Sequence, residues 1–243
     1  MTVFVIVGVV AIVGIIAVLF FVGRVGVTIE NLDNPRLMIK SCVEDLVEES
    51  LEKTMANGGL AMTDLGILHD GKNWTYLCYS GDYYSTCYNM HPMLEYQVEQ
   101  QIVKDTKEGV QECFNSMREE YEDIGYDVKG EATDYIVDLL PNYVDIKLKK
   151  DIVLSYDGSS STYSNFGFEV KSNIYDLVET ARLIVNDESQ YCNFEYNGFM
   201  LLYPDFDIRR ISYKESRLYR VMSRESGEEF KFAVRSCAFP PGI

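Results

Sequence analysis

Apolar residues run without a break from Val3 to Val22, and the first charged side chain is Arg24. Roughly 20 helical residues at about 1.5 Å each reach about 30 Å, the hydrocarbon thickness of a bilayer. The pattern predicts an apolar N-terminal helix over residues 1–27, either spanning a membrane or forming the core of an assembly. Past Asn34-Pro35, which suits a helix start, apolar positions recur at helical spacing. "RLMIKSCVEDLVEESLEKTMANGG" reads as an amphipathic helix with Leu37, Met38, Cys42, Leu46, Leu51 and Met55 approximating one face. Gly58-Gly59 ends it. Residues 60–91 alternate weakly instead. They finish in "NWTYLCYSGDYYSTCYNMHP", a β-hairpin pattern turning at "SGDY" with Cys78 and Cys87 on its arms.

Helical spacing returns after His91-Pro92, with Leu94, Val98, Ile102, Val110, Phe114 and Met117 in phase. From residue 124 to 156 the pattern is strand-like: "YDVKG", "DYIVDLL" and "YVDIKLKKDIVLSY". "DGSSSTYSN" reads as an exposed polar loop and "FGFEV" as a short strand. "SNIYDLVETARLIVNDE" is a third helix, N-capped by Ser172 or Asn173. Its apolar face takes Ile174, Leu177, Val178, Ala181, Leu183 or Ile184, and Val185. From "CNFEYNGFMLLYP" to "EFKFAVRSC" the pattern is a meander of antiparallel strands. The expected fold is α+β: an apolar N-terminal helix (1–27), then a disulfide-stabilised domain (28–243) of antiparallel strands and about three helices. A subdivision near residue 130 is the alternative. No internal repeat or low-complexity linker interrupts the chain.

Charge narrows the partners. The 243 residues carry 22 Lys and Arg against 38 Asp and Glu, a net charge of −16. That balance argues against binding nucleic acid, which needs basic patches. The acidic runs "VEDLVEESLE" and "REEYED" read as solvated helix faces. Six cysteines follow the apolar run, none in a CxxC pair, and His69 and His91 are the only histidines, so neither a zinc site nor another metal site is expected. An even count of this kind points to disulfides and an oxidising compartment. If the first two amphipathic helices run antiparallel, Cys42 and Cys113 fall at the same level. Closing that loop contributes about 4 kcal/mol. Cys78 and Cys87 staple the hairpin, which leaves Cys192 with Cys237. Five tyrosines near that staple, Tyr76, Tyr79, Tyr83, Tyr84 and Tyr88, form a candidate contact surface, the alternative being that strands simply favour tyrosine. "NWT" at Asn73 is a glycosylation sequon. No nucleophile elbow, HExxH, P-loop or GxGxxG is present, and the expectation is a non-enzyme without cofactors. "DFD" at Asp205 to Asp207 lacks the EF-hand spacing of a calcium loop.

The opening run lacks the basic n-region of a secretory signal and is longer than an h-region. Gly8, Ala11, Gly14 and Ala17 repeat every three residues, a stripe on which another helix can approach closely. "MTVFVIVGVVAIVGII" resembles the apolar segment that follows the cleavage site of archaeal class III signal peptides, those of type IV pilin-like proteins. "IKSCVEDLVEESLEKTMANGGL", "VQECF", "GFEVKSNIYDLVETARLIVNDE" and "EFKFAVRS" are similar to a large uncharacterised family of secreted proteins from small-genome archaea. Val5 stands where bacterial pilins carry a glutamate. The resemblance implies a structural subunit of an extracellular type IV pilus-like filament, major, minor or a tip adhesin. Its N-terminal helices are then bundled in the core, its partners are copies of itself, and it sits in the cytoplasmic membrane before assembly. The competing expectation is a single-pass, membrane-anchored surface protein that binds a ligand or a partner cell.

Overall fold

The computed structural model describes residues 34–60, 65–130, 135–149, 151–164 and 166–241. The first helix, α1 (Pro35–Ala56), begins where Asn34 Oδ1 accepts the Arg36 N–H and Pro35, with no N–H to satisfy, takes the first helical position. Gly58 and Gly59 close it at φ of +73° and +84°, and the Gly59 N–H donates back to the Thr54 carbonyl. Its buried row is Ile39, Val43, Val47, Leu51 and Met55, so the face is turned from the expected one: Leu37 and Cys42 are exposed. Both rows are apolar at i, i+4 spacing, and periodicity alone does not choose between them. Helix α2 (Leu94–Asp123) chooses, burying every residue of its expected face. The two helices run antiparallel. Cys42 is bonded to Cys113 at a Cα–Cα distance of 6.0 Å, and a Cβ on Gly109 would lie 2.8 Å from the Leu46 methyls. Gly109 is the gap that lets Leu46 in.

Among the described residues the strands form three sheets. Asp70 and Gly71, at φ of +50° and +72°, supply the two positive values of a type I′ turn and join β1 (Gly66–His69) to β2 (Lys72–Tyr79). "SGDY" lies instead in the longer loop from β2 to β3 (Tyr88–Asn89), which pair at Cys78↔Asn89 and Tyr79↔Tyr88. One three-stranded sheet orders β4 (Asp127–Lys129), β7 (Ile152–Tyr156) and β8 (Ser159–Tyr163). Another orders β5 (Tyr135–Leu140), β6 (Tyr143–Leu148) and β9 (Gly167–Lys171). "DGSSSTYSN", expected as a loop, turns at Asp157-Gly158 and folds back as β8. Helices α3 (Ile174–Tyr191) and α4 (Tyr196–Leu202) precede the meander β10 (Phe206–Tyr213), β11 (Ser216–Ser223) and β12 (Glu229–Arg235). The main sheet runs β1-β2-β12-β11-β10, with β3 on β2.

Three points correct the expected fold. There are four helices among the described residues, not three, because "YNGFMLL" coils into α4 where a strand was expected. That stretch has no β-branched residue to favour a strand. The sheets are not wholly antiparallel: β12 pairs with β2 in parallel. And no helix among the described residues is long and apolar enough to cross a membrane. Residues 1–27, where the spanning helix was expected, and the stripe Gly8, Ala11, Gly14 and Ala17 lie outside the described residues.

The central strands β2, β11 and β12 of the main sheet bury side chains on both faces. On one face α3 crosses β12, β11 and β2 while α1 packs on β12. This main core draws residues from Ile39 to Val234 and from both sides of position 130. On the other face Trp74, Tyr76, Leu218 and Ala233 form a smaller cluster with Leu65, Ile67, Tyr79 and Tyr213. Strand alternation divides them: Tyr219 and Phe232 face the helices, Leu218 and Ala233 face away. Gly59 sits at a tight seam, where an added Cβ would lie 2.6 Å from Val98 Cγ2 and 3.1 Å from the Phe230 ring. Gly59→Ala adds that overlap to a left-handed backbone. Urea unfolding should show a loss of about 2–4 kcal/mol.

Candidate interaction surface

The five tyrosines divide. Tyr76 is buried with its hydroxyl 2.7 Å from Ser216 Oγ, and the half-buried Tyr79 ring meets it edge-on with centroids 5.0 Å apart. Tyr83, Tyr84 and Tyr88 are exposed, joined at the surface by Phe239, whose ring lies 5.4 Å from that of Tyr84. Only these three of the expected tyrosines can meet a partner. Tyr76 shares the face turned away from the helices with Trp74, two residues away, because strand side chains alternate.

What holds this rim is a buried cation. Arg235 ends β12, and its guanidinium donates to the Ser80 carbonyl and, through Nη2, to Glu215 Oε2 at 2.9 Å. The Tyr79 and Tyr83 rings flank it at 5.8 and 5.2 Å, and the Tyr83 hydroxyl donates to the other Glu215 oxygen. Arg235 thereby holds the Glu215 carboxyl below its ordinary pKa. Backbone bonds add to the clamp: Ser80 N to Arg235 O, Tyr84 N to Ala238 O and Cys237 N to Ser85 O, all at or under 2.9 Å. Two disulfides, Cys78–Cys87 and Cys192–Cys237, close the same region at Cα–Cα distances of 5.4 and 5.6 Å. A loop without regular structure is thus fixed at both ends and from beneath.

A second buried charge ties α3 to the meander. Glu188, fully buried, accepts from Arg217 Nη1 and from the Tyr219 hydroxyl. The same Arg217 nitrogen donates to the Cys192 carbonyl at 2.7 Å, and the Glu188 carbonyl accepts from Ser236 Oγ at 2.7 Å. Burial, then the Glu188 charge, pushes the Tyr219 hydroxyl well above its usual pKa. Arg235, Glu215, Glu188 and Arg217 were not singled out in the sequence. Each finds its ionic partner 20 or more residues away, so no local pattern announces it.

Other expected positions have structural roles. Asn73 lies on β2 against Gly66, where a Cβ would come within 2.5 Å of its Oδ1, and Thr75 of the same sequon is fully buried. Ser172 and Asn173 do open α3, but Glu228 from the β11–β12 turn completes the cap, accepting from Ser172 Oγ and the Asn173 N–H at 2.6 and 2.7 Å. A groove of about 360 Å³ beside it is lined by Glu48, Glu52, Lys171 and Glu228 among others. No group of three or more His, Cys, Asp or Glu among the described residues is placed to hold a metal, and Asp207 is paired with Arg209.

Every described cysteine is oxidised, in the pairs Cys42–Cys113, Cys78–Cys87 and Cys192–Cys237. Three disulfides accord with an oxidising, extracellular or secreted environment. No protein-family model, curated protein or solved structure matches the chain. The surface presents three exposed tyrosines and Phe239 on a loop that is clamped in place. Its support is testable. Arg217→Met leaves Glu188 buried without its cation and should cost about 3–5 kcal/mol in chemical unfolding. Adding Glu188→Leu should restore most of that loss.

Proposed function

We propose that this chain is the structural subunit of an extracellular type IV pilus-like filament, with residues 1–27 of many copies gathered at its centre and the disulfide-closed domain outside. The observation that carries the reading is the sequence itself: an apolar run from Val3 to Val22 stands directly before a domain whose described cysteines are all paired. Water excludes such a run at about 25 cal/mol per Å² of apolar surface, so it must be covered by something, and other copies supply matching surface. Support also comes from the resemblance of "MTVFVIVGVVAIVGII" to pilin-like segments and from the rigid aromatic rim, which suits a durable outer surface. Cells sheared without detergent should release filaments visible by electron microscopy, and peptide identification should find this chain in them. A protein that stays in the membrane pellet and leaves it only in detergent overturns the reading.

A further inference from the structure

Helix α4 leaves its most apolar residues in water. Leu201 and Leu202 are 85% and 77% exposed, more than any other described leucine, and Tyr203 beside them is exposed as well. Adjacent leucines at that exposure differ from the single apolar residues scattered on an ordinary surface. The rest of α4 is firmly seated. Phe199 packs against Phe194 and Phe206, with ring centroids 5.5 and 6.0 Å away, and Met200 Sδ accepts the Ile208 N–H. The Phe206 N–H donates to the Tyr203 carbonyl, so α4 caps the open edge of β10 as far as Ile208. The apolar tip is therefore not a frayed end.

Charge says what covers it. Residues 206–235 hold eight Lys and Arg against five Asp and Glu in a chain of net charge −16. Arg217, Arg220, Lys231 and Arg235 are neutralised internally by Glu188, Glu229 and Glu215. That leaves Arg209, which shares Asp207, with Arg210, Lys214 and Arg224 along β10 and its flanking turns, against Asp205 and Glu225 in the same turns. Another part of the surface carries the other sign. Helices α1 and α2 hold fourteen Asp and Glu against six Lys and Arg. These helices pack on β12, β9, β5 and β4, whereas β10 lies two strands beyond β12. The basic-apolar flank and the acidic flank are different patches of one molecule.

We infer that the α4–β10 flank docks on the acidic α1–α2 flank of a second copy of this chain. The inference rests on the filament reading and names the contact between outer domains. A contact between two different patches is head-to-tail, and unless its rotation closes a ring it propagates as an open chain. Leu201, Leu202 and Tyr203 are its apolar centre; the arginines and Lys214 set its orientation and its salt dependence.

Full-length protein in a nonionic detergent, which masks residues 1–27, should self-associate in sedimentation velocity. Molar salt should weaken the association. Leu201→Asp with Leu202→Asp, and separately Arg209→Glu with Lys214→Glu and Arg224→Glu, should each weaken it at least about tenfold with unchanged melting temperature. Carbodiimide coupling should join Lys214 to carboxylates of α1 or α2 in another molecule. A wild type that stays monomeric, or couplings that fall elsewhere, overturns the contact. So does binding of the wild type to anionic lipid vesicles without self-association. Native filaments that form unchanged from the leucine variant overturn the contact and leave the filament reading standing.

Discussion

The parallel pairing of β2 with β12 is the constraint on which the other contacts depend. It joins strands separated by roughly 150 residues, and loop closure over such a length adds little beyond the cost of a shorter loop, because that cost grows only logarithmically. Once Ala233, Val234 and Arg235 lie against Tyr76, Cys78 and Tyr79, the sheet has a centre with two faces to bury. Helix α3 then has a floor, α1 has a wall, and the residues after β12 are delivered beside the loop that Cys78 and Cys87 close. Without this pair, the meander would be a separate three-stranded ribbon and the aromatic rim would have nothing beneath it.

The buried charges follow from that arrangement. Arg235 and Glu188 both lie where β12 and α3 end together, and each has ionic and neutral partners that satisfy it. A buried ion pair adds little net stability over an apolar replacement, yet removing one partner is expensive. Such pairs penalise misplacement more than they reward placement. Sheet edges are managed in the same spirit. Glu99 reaches from α2 to accept the Leu139 N–H on the outer strand β5, and its carboxyl is raised in pKa by burial there. At the main sheet α4 covers β10 as far as Ile208, and Arg209 and Arg210 follow.

Much of this was readable in the residues, and the reasons divide cleanly. Helix α2 was legible because one face is apolar and the other charged. Cysteine positions on antiparallel helices and on paired arms indicated the bonds that form. Helix α1 was legible in extent but not in rotation, since two adjacent rows both carry apolar side chains. The Asp70-Gly71 turn has a local signature that the more conspicuous tyrosines overshadowed. β8 and α4 were misread because composition there is non-committal: serines serve loops and exposed strands alike, and Met-Leu-Leu suits a helix or a buried strand. The Arg235 and Glu188 clamps were not legible at all, being made by partners far apart in sequence. Tyr76 was grouped with outward tyrosines because composition does not say which way a strand faces.

The late position of β12 has a consequence for how the chain is made. Synthesis proceeds at about 5–20 residues per second, so β2 exists for roughly 10–30 seconds before its parallel neighbour has been translated. Through that interval one side of an apolar strand carrying Trp74, Tyr76 and Leu77 has no permanent neighbour. The Cys192–Cys237 bond is equally late, since Cys237 follows the last residue of β12 by two positions. The main sheet therefore closes only after β12 has been made. A chain delivered to an oxidising compartment before that event arrives still extended, and the side on which it completes β12 is the side on which its thiols disappear.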